Sequence, residues 1–280
     1  MPSPSDIPSA AAVAAATEQT FARLFPRAEG KTVRRLFSDI DDLFNGRLPD
    51  YQACDLKYHD YRHTLQVAHC FVALFAGRHA ADETPPLNTG HFETGLAAAL
   101  YHDSGYLKTR GDTTGTGAKY TYCHVLRSCA LAASHLPRLN FTIEEIDAVL
   151  GAIRRTGPLP VGSVARSGNG AEEFVACAVA SADYLAQMAA SDYPDELDLL
   201  HAEFAESDDF LAVPAARRMF KSLADLRTRT GKFWVKVVRP KLDTDFKAVH
   251  RYLDAPDGSN PWLEAIERNL AVIAERARSA

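Results

Sequence analysis

No run of about 18 consecutive apolar residues, the length a membrane-spanning helix requires, occurs in this 280-residue chain. The alanine-rich stretch Ala10–Thr17 is much shorter and follows no basic segment, so residues 1–16 read as a frayed tail leading into a helix. Cysteine is scarce too. The five, at 54, 70, 123, 129 and 177, are odd in number and lack Cys-x-x-Cys spacing. That excludes a disulfide scaffold and leaves buried free thiols in a reducing compartment, with a cytoplasmic location as the expectation. Positive charge is not in excess: 31 Lys and Arg against 36 Asp and Glu give a net charge of −5. Nucleic acid is therefore not the expected partner, since that contact is mainly phosphate neutralisation. Neither a membrane contact nor an internal repeat is indicated.

What the chain does have is apolar residues at helical spacing. Leu65, Ala68, His69, Val72, Phe75 and Ala76 recur every three or four positions, and the segments TGLAAALYHD and FVACAVASADYLAQMAA are dense enough in apolar residues for buried helices. Strand-like alternation is rare, so the expected fold class is all-α. Breaks fall at the cluster Pro85, Pro86, Asn88, Gly90, then at Gly105 to Gly117 and at Gly157 to Gly170. Thr142 and Glu145 have capping-box spacing at the start of a helix over about 140–155. A closing helix runs from Pro261 with Trp262, Ile266, Leu270 and Ile273 on one face and Asn260 as its cap. This divides the chain into a core over residues 17–190 and C-terminal helices over 191–280. Residues 191–209 hold eight acidic and no basic residues, whereas 216–251 hold eleven basic and three acidic ones. These read as solvated helical faces that attract each other, or as a docking face for an anionic ligand or partner.

Three segments carry candidate chemistry. His59 and His63, four apart in KYHDYRHTLQVAH, share a helix face and can address one site. His102 and Asp103 end an apolar helix just before Gly105. Asp183 is the only acid between Phe174 and Ser191, and an ionised carboxylate buried there demands a cation or a strong donor. A second His-Asp pair, His59-Asp60, shows that the dipeptide alone carries little information; the ordered set carries more.

That set, His63, His102-Asp103, Asp183, resembles the HD-domain superfamily of metal-dependent phosphohydrolases, in which separate helices supply His, His-Asp and Asp to a metal. YHDYRHTLQV is also similar to the opening motif of the cyclic-nucleotide phosphodiesterase branch. The resemblance covers Tyr58 to Met188. It implies an HD-type helical bundle with additional C-terminal helices, and His63, His102, Asp103 and Asp183 as metal ligands. Catalytic roles fall to Asp103 and to His59, the latter as proton donor with Asp60 or another acid orienting its ring. The cofactor implied is a divalent transition metal, Zn²⁺, Mn²⁺, Fe²⁺ or Ni²⁺, with Asp103 able to bridge to a second ion, Mg²⁺ or Mn²⁺. The ion would lower the pKa of bound water from 15.7 towards ~7 and withdraw charge from a phosphoryl oxygen. The substrate implied is a small phosphomonoester or phosphodiester, nucleotide-like; a homo-oligomer is compatible with the pattern.

Departures from the pattern limit what transfers. Three residues after Asp103, where cyclic-nucleotide phosphodiesterases place a histidine, stands Tyr106. The Glu-Asp of alarmone hydrolases and the Gly-Tyr-Pro signature of the cyclic-di-GMP branch are absent, so no subfamily's substrate is inherited. His124 lies where several HD branches place a histidine that touches a second metal or the substrate phosphate. The glycine-rich loop after Gly105, with Lys108, Arg110 and Lys119, reads as a phosphate-binding lid. Arg154, Arg155 and the loop through Arg166 form a second basic candidate, while His69 and His135 read as core or helix-end residues. A histidine-rich di-iron oxygenase and a non-catalytic metal-containing sensor or scaffold remain as alternative readings.

Overall fold

Apolar faces this wide are buried only by packing helices against one another. The computed structural model describes residues 9–158, 162 and 170–279, and among these the chain is all-α. Its helices are α1 Ala10–Leu24, α2 Lys31–Phe44, α3 Tyr61–Ala80, α4 Thr89–Tyr101, α5 His124–His135, α6 Ile143–Thr156, α7 Gly170–Ala189, α8 Tyr193–Phe210, α9 Leu223–Phe233 and α10 Pro261–Ser279. The only strand-like pairing among the described residues is one bridge between Tyr51 and Thr109.

Helices α3 and α7 form the axis, with α4 and α6 packed beside them; α1 lies on α3, α2 on α4, and α10 on α7 and α9. Their interior is aromatic where α1, α3 and α4 meet: Phe21, Phe71, Phe75 and Phe92 are almost fully buried, and the Phe75 and Phe92 rings stand edge to face at 5.0 Å. Gly95 on α4 makes the α3–α4 approach feasible, because a Cβ there would overlap the Phe71 ring. This contact matters to the site, since α3 begins at its first imidazole and α4 ends at its second.

Sequence signals locate several helix ends. Thr142 and Glu145 form the expected capping box, with both reciprocal hydrogen bonds made. Asn260 accepts from the N–H groups of Trp262 and Leu263, capping α10 as expected. At the N-terminus the expectation is corrected: α1 starts at Ala10, inside the stretch read as a tail. The Ser9 hydroxyl caps it, and Val13, Thr17 and Phe21, four apart, are all buried.

The glycine-rich loop also departs from the lid expected of it. Lys108 is buried, ion-paired to Asp55 at 2.8 Å and bonded to the Gly115 carbonyl, while Lys119 is buried against Asp112 and the Thr114 carbonyl. Gln52 and Arg110 tie the same loop to the segment after α2. Its basic groups are structural pins. Among the described residues all five cysteines are free as expected, but Cys123 is exposed and Cys54 half-buried.

The acidic and basic segments touch through few pairs, Arg218 with Asp209 among them. Most ion pairs of the basic segment are internal or reach elsewhere: Arg229 to Asp225, Arg239 to Asp243, Lys247 to Glu173. After α9 the chain widens into π-helical turns at Trp234–Val238 and Lys241–Asp245, flanking Pro240, which has no N–H for a regular α-helical bond.

Replacing Gly95 by Ala should destabilise the fold by about 1–3 kcal/mol, the cost of overpacking a filled core, despite alanine's better helix propensity. Thermal or denaturant unfolding followed by circular dichroism measures it; unchanged stability would mean that the α3–α4 contact is looser than it looks.

Candidate metal centre

His63 stands in the first turn of α3, where Asp60 caps the helix by accepting from the His63 N–H at 2.9 Å. His102 and Asp103 follow the last residue of α4, and Asp183 projects from α7. The fold brings all four together. His63 Nε2 lies 3.3 Å from His102 Nε2, 3.5 Å from Asp103 Oδ2 and 3.3 Å from Asp183 Oδ1. His102 Nε2 lies 3.3 Å and 3.6 Å from the same two oxygens. Donors about 2.0–2.1 Å from one ion at tetrahedral angles would be separated by ~3.3–3.4 Å, and the spacings among His63, His102 and Asp103 fit a single metal.

Two further observations support that fit. Asp103 Oδ2 is buried with no hydrogen-bond partner, a costly state for a carboxylate oxygen unless a cation meets it. His102 Nδ1 lies 2.8 Å from the Ala99 carbonyl oxygen, which can only accept; in the neutral ring the proton sits on Nδ1 and the Nε2 lone pair faces the cluster. His63, His102 and Asp103 thus form a buried group able to hold a metal ion, and Asp183 Oδ1 lies beside it, 3.3 Å from His63 Nε2. Without a metal, only protons can balance the carboxylates. Burial opposes charge on His102, yet the adjacent Asp103 and Asp183 carboxylates raise its pKa well above the ordinary value. Burial likewise opposes charge on both acids, but the imidazoles hold Asp103 and Asp183 below the usual carboxylate range.

Around this cluster stand the other imidazoles. His59 lies 2.7 Å through Nδ1 from Glu203 Oε2 on α8, a residue that sequence reasoning assigned to a solvated face. Glu203 is itself buried and also accepts from the N–H groups of Lys57 and Tyr58, fixing the chain just ahead of α3. Of the acids expected behind His59, Asp60 or another, Asp60 caps α3 and Glu203 is the one bonded to the ring. Burial lowers the His59 pKa, but the Glu203 hydrogen bond and the Asp103 charge outweigh it and leave it raised. Helical spacing held a clue to Glu203: Leu199, Leu200 and Ser207 lie three or four positions away on its face, and they are apolar or small.

His124 opens α5. Its Nε2 lies 3.5 Å from the second Asp103 oxygen, Oδ1, and its Nδ1 2.7 Å from the Thr121 carbonyl. Burial pushes its pKa down, the Asp103 charge opposing. Asp103 therefore presents one oxygen to His63 and His102 and the other to His124. Gly105 permits this, because a Cβ there would overlap the His124 carbonyl, and its N–H donates to Ser128 Oγ at 2.8 Å. Between His59 and His124 lies Tyr106, stacked on the first at 4.7 Å and on the second at 4.5 Å.

Side-chain exposure shows which way the centre opens. His102, Asp103 and His63 are 1–5% exposed, whereas His59 and Asp183 are 15% and His124 18% exposed. Those last three groups border the accessible side.

Two expected phosphate-binding residues do not join them. Lys108 spends its ammonium on Asp55 and the Gly115 carbonyl. Arg110 spends its guanidinium on the carbonyls of Pro49, Gly46 and Leu48. These bonds hold the loop to Asp55 and to the segment after α2. Arg155 is buried in a two-pronged pair with Glu173 at 3.0 Å, and Arg166 lies outside the described residues. His135 is a buried histidine near Asp39, as expected of a core position.

The all-α bundle and its buried His-His-Asp group are compatible with an HD-type site. No protein-family model matches this chain, and no curated protein is significantly similar to it.

Asp183→Ala should reduce the metal content of purified protein towards zero while far-ultraviolet dichroism stays helical; metal retained at the wild-type level would exclude Asp183 as a ligand. Glu203→Gln removes the negative charge that favours imidazolium, so the His59 titration midpoint, followed by nuclear magnetic resonance, should move to lower pH.

Proposed function

We propose that this chain is an HD-type metal-dependent phosphohydrolase that cleaves a small phosphomonoester or phosphodiester, nucleotide-like in character. The observation that carries the reading is the convergence of His63, His102 and Asp103 at 3.3–3.5 Å, with Asp183 Oδ1 at 3.3 Å and 3.6 Å from the two imidazoles and a glutamate-paired imidazole beside them. A divalent transition metal held by these four groups supplies a Lewis acid for a phosphoryl oxygen and acidifies water at neutral pH.

The chain's own groups account for the rest. Glu203 holds His59 by Nδ1, which leaves Nε2 to carry a proton towards a leaving oxygen on the accessible side. The Glu203 hydrogen bond and the Asp103 charge, which outweigh burial and raise the His59 pKa, favour the protonated donor. His124 Nε2, on the other side of Tyr106, is placed to hold, with Asp103 Oδ1, a second ion such as Mg²⁺ or Mn²⁺. The apolar packing behind His102 excludes bulk water from the rear of the centre.

His124 facing the second Asp103 oxygen also favours a different reading, a di-iron centre that uses O₂. Two irons per chain with a visible absorption band in anaerobically purified protein would support it; colourless Zn- or Mn-loaded protein active on a chromogenic phosphate ester would support hydrolysis.

Asp103→Ala should remove metal and turnover together in a phosphate-ester and nucleotide screen with added Mn²⁺. His59→Ala should keep the metal yet slow esters with poor leaving groups by about 10²–10⁴-fold, and those with good leaving groups much less. Equal losses on both kinds of ester would refute the donor role. Because the acid form works, turnover should fall as pH rises through the raised His59 pKa, and Glu203→Gln should shift that limb to lower pH.

A further inference from the structure

Tyr106 occupies the position at which the sequence departs from the phosphodiesterase pattern, and its surroundings treat it as a fixed part. The ring is 2% exposed and lies nearly parallel to both neighbours, at 17° to His59 and 10° to His124. It follows Asp103 by three residues in a 3₁₀ turn over Ser104–Tyr106, whose closing N–H bonds back to the Asp103 carbonyl at 3.1 Å.

The backbone is clamped on both sides of the ring. Arg127 on α5 donates through Nε to the Gly105 carbonyl at 2.6 Å and through Nη2 to the Leu107 carbonyl at 2.8 Å. The phenol hydroxyl is hydrogen-bonded to the Thr121 side chain, and Thr121 in turn donates to the Ala118 carbonyl at 2.6 Å. The backbone is therefore held on both sides of Tyr106, and its hydroxyl meets Thr121.

The imidazoles are anchored at their far atoms. His59 is held at Nδ1 by Glu203, and His124 at Nδ1 by the Thr121 carbonyl. A hydrogen bond to one ring atom leaves the imidazole plane free to swing about that bond. A flat aromatic face at stacking distance removes that freedom.

Resting on the reading of this centre as a phosphohydrolase, we propose that Tyr106 is its positioning residue: one ring, stacked between His59 and His124, fixes the planes and separation of the two imidazoles along the Asp103 edge. The His59 proton then faces a phosphoryl oxygen, while the His124 Nε2 lone pair stays aimed along the Asp103 edge, where a cation can meet it. Tyr106 itself transfers no proton and touches no reacting atom. A histidine at this position would add a ligand; tyrosine adds a spacer.

The test uses the full-length, metal-loaded chain with Tyr106→Phe, which keeps the flat face, and Tyr106→Met, which keeps volume without it. Tyr106→Phe should retain kcat within about threefold, since the stacked faces remain. Tyr106→Met should lower kcat roughly ten- to a hundredfold through misplacement of the donor, with KM and metal content little changed and poor leaving groups slowed most. In nuclear magnetic resonance spectra the His59 and His124 ring protons should move downfield in Tyr106→Met alone, as the shielding face is lost. Wild-type kcat in Tyr106→Met, or equal losses in both variants, would overturn the proposal; so would loss of metal or helicity in Tyr106→Met, which would make the residue merely structural. If the wild-type chain turns over no phosphate ester, the phosphohydrolase reading fails, and the imidazole resonances alone decide the positioning role: no downfield movement overturns it.

Discussion

Two carboxylates buried among helices are the constraint on which this structure turns. Removing an ionised carboxylate from water costs several kcal/mol unless opposite charge and hydrogen bonds offset it. Asp103 and Asp183 are offset by the imidazoles of His63 and His102, drawn from α3 and the end of α4, with α7 supplying the second acid. The cluster thereby ties together three helices of the core. It also concentrates negative charge and nitrogen lone pairs at one point, which is what binding a divalent cation requires.

The surrounding packing keeps those groups in place. Gly95 lets α4 approach α3 and Gly105 lets the turn after Asp103 lie against α5, so the imidazoles of His102 and His124 arrive on opposite sides of one carboxylate. Helix α8 then contributes from a distance of 144 residues in sequence: Glu203 reaches the loop before α3 and the His59 ring together. The C-terminal helices are thus part of the centre's support. The glycine-rich loop, whose basic residues invite a phosphate-binding interpretation, is pinned by Asp55, by Asp112 and by its own carbonyls.

Legibility differed between the elements. The helix class, the Thr142–Glu145 capping box and the α10 cap rest on local periodicity and on side chains within three or four residues of the groups they bind, and such features are readable in a single chain. The convergence of His63, His102 and Asp103 was expected from the resemblance of the ordered set to the HD pattern, and ionisable groups in or just after apolar helices pointed the same way. Lys108 and Arg110 misled, since their partners are backbone carbonyls and Asp55, none of which leaves a pattern in the sequence. The N-terminal boundary was missed because alanine occurs equally well in frayed and packed helices, and the burial of Val13 depends on α3.

Residue types and their spacing were sufficient to specify an all-α chain and to mark which buried acids and imidazoles needed partners, because burial penalties and helical periodicity act locally. Which acid stands behind His59, which lysines are pins, and that Tyr106 lies flat between two imidazoles depended on how helices cross. Those contacts join residues many turns apart, and their geometry is set by the packing of whole faces, which no local stretch of sequence contains.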